Sequence, residues 1–190
     1  MRQVRAMRTT GDSALPLKGS EWQFNLRPKR STGSDSWGDK GSVTIPDSEW
    51  QGIAARGGGA IRRWINKQMK RKACVIVLIG STTAGRPWVN YEIMKGWRDR
   101  KGVFGIYIHN LRDSARARSP MGANPFDDFT LGGRRMSDIV CAYNPPFEDS
   151  ELVYTYIQKH LSSWVVMQLI SAGITHRIPI AHLSRGEISI

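Results

Sequence analysis

Two uninterrupted apolar runs, Cys74 to Ile79 and Val103 to Ile108, constrain this chain more than any other feature. The stretch between them opens on a Gly-Ser-Thr turn and continues with helical signals. Two short apolar runs separated by one helix read as a βαβ unit of a parallel sheet, with strands buried on both faces. Sheets of that kind take ligands in the crevice beyond the carboxyl ends of their strands. At that edge the sequence sets Ser81 and Thr82 after the first run and His109 and Asn110 after the second, with Glu92 nearby. A functional site is expected there.

The intervening helix is expected over about 87–98, with Pro87 in its first turn, where the missing N–H costs nothing. Val89, Ile93, Gly96 and Trp97 share the face that would meet the sheet, and Trp88, Tyr91, Glu92 and Lys95 form the adjoining side. Glu92 then sits at a boundary, neither fully buried nor free in solvent. A carboxylate in such a place can carry a tuned pKa, although a solvated helix glutamate is the commoner case. Upstream, Ile61, Trp64, Ile65, Gln68 and Met69 follow an amphipathic stripe after Gly57-Gly58-Gly59. No strand precedes those glycines, so they read as a flexible helix start rather than a phosphate cradle. Residues 111–135 form a long polar excursion, of the kind that is functional or disordered. A further strand is expected within 137–143. Asp149 or Ser150 then caps a helix whose Val153, Ile157, His160, Leu161 and Trp164 lie on one stripe.

Charge and cysteine content narrow the class. The chain has 28 Lys+Arg against 16 Asp+Glu, a net +12. Residues 1–72 hold 15 basic and 6 acidic side chains, so most of the excess precedes the first apolar run. Clustered cations supply the phosphate-binding component of nucleic-acid affinity. No nucleic-acid motif accompanies them, so a solvated basic leader is the plainer reading and nucleic acid is not an expected partner. Cys74 and Cys141 both fall in strand-like runs and read as two buried, reduced thiols. No Cys/His spacing fits a metal site. The start of the chain, MRQVRAMRTTGD, has charges where a signal peptide needs an apolar core. No stretch approaches the ~20 apolar residues of a membrane span. A cytoplasmic protein is expected.

Several blocks in order, RRWINKQMKRKACVIVLIGSTTAGRPWVNYEIMKGW, GVFGIYIHNLRD, NPFDDF and YNPPFEDSELVYTYI, resemble the TIR-like family of the Thoeris anti-phage defence protein ThsB. The resemblance covers about residues 43–166, expected as a TIR-like domain, with a basic, poorly ordered leader over 1–42 before it and a C-terminal extension without an assigned structure over 167–190 after it. It implies a flavodoxin-like fold, in agreement with the parallel sheet read above. It also implies NAD as substrate rather than a bound cofactor, cleavage of the nicotinamide–ribose bond, and a cyclic ADP-ribose signal read by an effector protein. The family's glutamate follows a tryptophan on the helix after the third strand, a pattern that Trp88 and Glu92 match. Glu92 is thereby the expected catalytic carboxylate, and Trp88 either shapes the pocket or anchors the helix. Ser81 and Thr82 would meet ribose or phosphates, and His109 and Asn110 either contact the same ligand or mark the strand's end. The family opens with an apolar first strand that helps form the pocket. MRQVRAMR is no such run and looks like the end of a helix, so that strand is expected to be missing. A non-catalytic module working through self-association is the alternative.

Overall fold

The computed structural model describes residues 3–7, 52–53, 55–70, 72–113, 116–175 and 180–182. Most of the expected leader, and the end of the expected C-terminal extension, lie outside the described residues. The first apolar run forms β2 (Lys72–Ile79) and the second β3 (Gly102–Tyr107), paired parallel so that Val75 faces Val103 and Ile79 faces Tyr107. Every residue of β3 is buried, as a central strand with both faces covered requires. Gly105 and Ile106 pair onward with β6 (Ala142–Tyr143), again parallel. The expected α/β architecture, a parallel sheet flanked by helices, is what the chain adopts.

Side-chain alternation along the strands divides the core in two. Val75, Val77 and Ile79 of β2, with Val103 and Tyr107 of β3, pack against α1 (Gly58–Met69) and α2 (Pro87–Arg98). Cys74, Ile76 and Leu78, with Phe104 and Ile106, pack against α3 (Ser150–Thr175). Helix α2 lies close to the sheet because position 96 has no side chain. A Cβ on Gly96 would stand 2.9 Å from Cγ2 of Val75. On the other face Val153, Ile157, Leu161 and Trp164 of α3 are buried, as their stripe predicts, and His160 is half-buried beside them. The helix runs unbroken past residue 166, so 167–175 continue an element of the core domain.

Two expectations change. The opening residues were not expected to supply a strand, yet β1 (Gln3–Met7) lies parallel to β2, with its register shifting between Gln3 and Val4. An unpaired edge of β2 offers backbone donors and acceptors whatever side chains the incoming segment carries. The apolar pattern expected of a first strand is therefore not needed for pairing. The strand expected in 137–143 shrinks to two residues. Met136–Asp138 form a 3₁₀ turn that buries Met136 completely, and Val140 turns into the α2-side core. Cys141 is consequently exposed rather than buried.

The excursion at 111–135 is largely built. A 3₁₀ turn (Pro125–Asp128) leads into β4 (Phe129–Leu131) and β5 (Arg134–Arg135), an antiparallel pair. β4 also pairs with β7 (Ile180–His182), making a small second sheet. Phe126 and Phe129 are fully buried, which is why this polar stretch does not remain an open loop.

Candidate functional site

The turn after β2 is fastened from within. Thr83, fully buried, accepts the N–H of Gly80 on its hydroxyl oxygen at 2.8 Å and donates to the carbonyl of Leu78 at 3.2 Å. Arg86 reaches back to donate from Nε to the Thr82 carbonyl at 2.6 Å and from Nη2 to the Thr82 hydroxyl at 3.0 Å. Gly85 has φ +76°, a left-handed backbone that glycine adopts without a side-chain clash, and its N–H donates to Oδ2 of Asp128 at 3.1 Å. These ties leave Ser81 and Thr82 exposed at the tip, where the edge of the sheet meets solvent. Thr83 and Asp128 were not singled out from sequence. Thr83 could have been: in a Gly-Ser-Thr-Thr turn, a hydroxyl three residues after a glycine is placed to cap that glycine's N–H.

Helix α2 starts directly from this turn, so Trp88 and Glu92 stand in its first two turns. Glu92 is only 7 % exposed. It lies deeper than the boundary position read from its spacing. Tyr91 donates its hydroxyl to Oδ1 of Asn66 on α1 at 2.8 Å, and the Arg62 guanidinium lies 5.8 Å from the centre of the Tyr91 ring. Trp88 meets Tyr91 edge-on, with centroids 6.2 Å apart. Its six-membered ring also lies over Gly58, about where a Cβ would be 3.5 Å away. The tryptophan therefore bridges the starts of two helices while remaining half-buried. Asn90, buried as deeply as its apolar neighbours, is a further polar residue of this helix. Its spacing of three from Ile93 and seven from Trp97 is the signal that puts it on the core stripe.

Beyond β3 the two remaining residues part ways. His109 is half-buried, its ring edge-on to Tyr107 at 6.1 Å, and its Nδ1 is buried with no hydrogen-bond partner among the described residues. Burial lowers the imidazole pKa, which favours the neutral ring. Tyr107 beneath it has its phenol pushed up, first by burial and then by the charge of Asp127. Asn110 turns the other way and donates Nδ2 to the carbonyl of Phe147 at 2.9 Å, tying this loop to the one that precedes α3. The turn and α2 thus bring Ser81, Thr82, Trp88 and Glu92 into one region, with His109 on the adjacent strand end. Asn110 serves the α3 side.

A shallow depression of about 740 Å³ opens between Arg112 and Arg116 and the first turn of α3, and none of the six expected residues lines it. The helix terminus there is already capped, since Oδ1 of Asp149 accepts the N–H groups of Glu151 and Leu152 at 3.0 Å. Among the described residues no helix is long and apolar enough to cross a membrane.

Comparison with known proteins bears on the same segment. Residues 32–113 match the family model described as Thoeris protein ThsB, TIR-like domain. A Bacillus cereus (strain MSX-D12) protein named "Putative cyclic ADP-D-ribose synthase ThsB1" is 36% identical over 91 residues, covering 48% of this chain and 46% of the relative. The chain thus spans about half the length of the curated relative it matches. The resemblance to the ThsB TIR-like family holds over this segment, which contains α1, β2, α2 and β3 together with the exposed edge that follows them.

Proposed function

We propose that this protein is a TIR-like enzyme that cleaves NAD between nicotinamide and ribose, with Glu92 as its catalytic carboxylate. The reading rests on one observation above the others: a glutamate held at 7 % exposure in the second turn of α2, beside Trp88, within the segment that matches the ThsB TIR-like domain. Heterolysis of the ribose C1′–nitrogen bond sends the electron pair to the pyridinium nitrogen, and nicotinamide leaves neutral. The ribose carbon is left with oxocarbenium character. A carboxylate facing that carbon stabilises the developing charge, and water-poor surroundings strengthen the effect. Attack by water then gives ADP-ribose and a proton. Attack by a nucleophilic nitrogen or hydroxyl elsewhere in the same molecule, with loss of a proton, gives a cyclic product, in line with the name carried by the Bacillus relative.

In this scheme Ser81 and Thr82 meet ribose or phosphate at the tip of the turn, and His109, whose imidazole pKa is lowered by burial, offers a nitrogen to the same ligand. The product serves as a signal to an effector protein in anti-phage defence, and the enzyme works in the cytoplasm. Incubating the full chain with NAD and resolving the nucleotides by chromatography tests this directly. Nicotinamide release that is lost in Glu92→Gln, with the fold retained, supports the assignment. Equal turnover in that variant removes Glu92 from the mechanism.

One observation favours the second reading, a non-catalytic module that assembles with other proteins. Leu152, Val166, Met167 and Ile170 of α3 are each more than half exposed, an unusual amount of apolar surface for one helix. Under that reading, NAD is untouched and Glu92→Gln leaves association unchanged.

A further inference from the structure

The segment 119–128 lies across the same edge of the sheet. At Gly122 its backbone rests directly on the turn after β2. A Cβ placed there would overlap the Gly80 carbonyl oxygen and stand 3.1 Å from Cα of Ser81. Six residues later, Oδ2 of Asp128 holds the N–H of Gly85. At its other end the segment is tied to the second strand of the site, since Ser119 donates its N–H to the His109 carbonyl at 3.2 Å. Its own rigidity comes from Phe126, which is fully buried, and from Asn124, whose side-chain oxygen accepts the N–H of Phe126 at 3.1 Å.

We infer that residues 119–128 form the second wall of the nucleotide crevice, and that Asp128 is a positioning residue acting through Gly85. This rests on the NAD reading above and adds to it the part of the chain that fixes the binding turn. The turn 80–86 offers Ser81 and Thr82 to the ligand, and the Asp128 carboxylate ties it to a distant segment through Gly85. Helix α2 is anchored separately, through Val89, Ile93 and Trp97 in the core. Removing the Asp128 carboxylate therefore loosens the part of the site that binds and leaves the part that carries Glu92 in place. The two roles separate: Asp128 governs how well the nucleotide is held, and Glu92 governs the bond-breaking step.

The test uses the full chain with Asp128→Ala and Asp128→Asn, the latter keeping a side-chain carbonyl that can accept from Gly85. Hydrogen exchange of the peptide covering 80–86 is followed alongside thermal stability and NAD kinetics. In Asp128→Ala the turn exchanges about tenfold faster, the order of one lost hydrogen bond, while Tm stays within about 3 °C of the parent. KM for NAD rises about five- to tenfold and kcat stays within about twofold, the signature of lost ground-state binding. Asp128→Asn restores both exchange and KM. Unchanged exchange in Asp128→Ala, a fall in kcat at constant KM, or failure of Asp128→Asn to rescue overturns the inference. A parent chain that turns over no NAD overturns the functional reading instead, and the exchange arm then decides by itself whether Asp128 holds the turn.

Discussion

Tyr143 lies flat against Trp164, with ring centroids 4.2 Å apart and planes within 9° of parallel. The pair fastens the two-residue strand β6 to the middle of α3. Three more rings extend the contact: Phe104 meets Tyr143 edge-on at 5.7 Å, His160 stacks 5.8 Å from Trp164, and Tyr156 lies 4.1 Å from His160. A strand with only two ladder pairs contributes little by hydrogen bonding alone, so side-chain stacking carries the attachment.

Trp164→Ala is accordingly expected to destabilise the protein by about 3–5 kcal/mol, combining lost burial, a cavity and the lost stack. Trp164→Phe should lose a smaller part, because a ring still covers Tyr143. Urea unfolding followed by circular dichroism measures both. A loss below about 1 kcal/mol in the alanine variant would show that β6 is held by something other than this ring pair.

Gly96→Ala sets two effects of opposite sign against each other. Alanine in a helix interior gains about 1 kcal/mol over glycine. The new methyl would meet Cγ2 of Val75 at 2.9 Å and that of Val103 at 3.3 Å, both on rigid, buried strand residues. Overpacking of that sort costs about 1–3 kcal/mol, so net destabilisation is expected. Pairing it with Val75→Ala should recover part of the loss, and an additive double variant would contradict the contact.

The two thiols should separate cleanly. Burial pushes the Cys74 pKa up to about 12, against a smaller lowering by a backbone hydrogen bond at Val75, while Cys141 is exposed. Thiolate is the reactive form. A disulfide reagent at pH 8 is expected to label one thiol per folded chain, at Cys141, and the second only after denaturation. Rapid labelling of both in the native protein would contradict the packing of β2.

A pH dependence follows from His109. Burial lowers its folded pKa below the ordinary value near 6.5, so between the two values the unfolded chain binds more protons. Stability then falls as pH drops below about 6.5, and the loss is complete once pH is below the folded value. His109→Gln should flatten the slope between pH 7.5 and 5 relative to the parent. Identical slopes would mean that the ring is solvated in the folded protein.

Much of this arrangement is legible in the sequence because the relevant forces are local and periodic. The apolar runs of β2 and β3, each short and flanking one helix, read as a buried parallel pair, and Pro87 marks the first turn of α2. The depth of Glu92 is not legible: its helix phase places it at a boundary, and the burial it reaches is set by tertiary packing that the spacing of a single helix does not carry. The exposure of Cys141 escapes for a related reason. Its apolar neighbours satisfy their burial by a 3₁₀ turn at Met136 rather than by a longer strand. The tie between Asp128 and Gly85 joins residues 43 apart, and nothing in the spacing of either segment announces it.

The small second sheet has a consequence for the order of assembly. Strand β4 finds one partner almost at once, in β5 across a two-glycine turn. Its other partner places Ile180 opposite Leu131 and His182 opposite Phe129, with the whole of α3 in between. Closing so long a span is slow, because chain entropy is surrendered before the contacts repay it. The hairpin should therefore be formed on one side well before the other, so that this sheet is completed late, after the helix that separates its strands has docked.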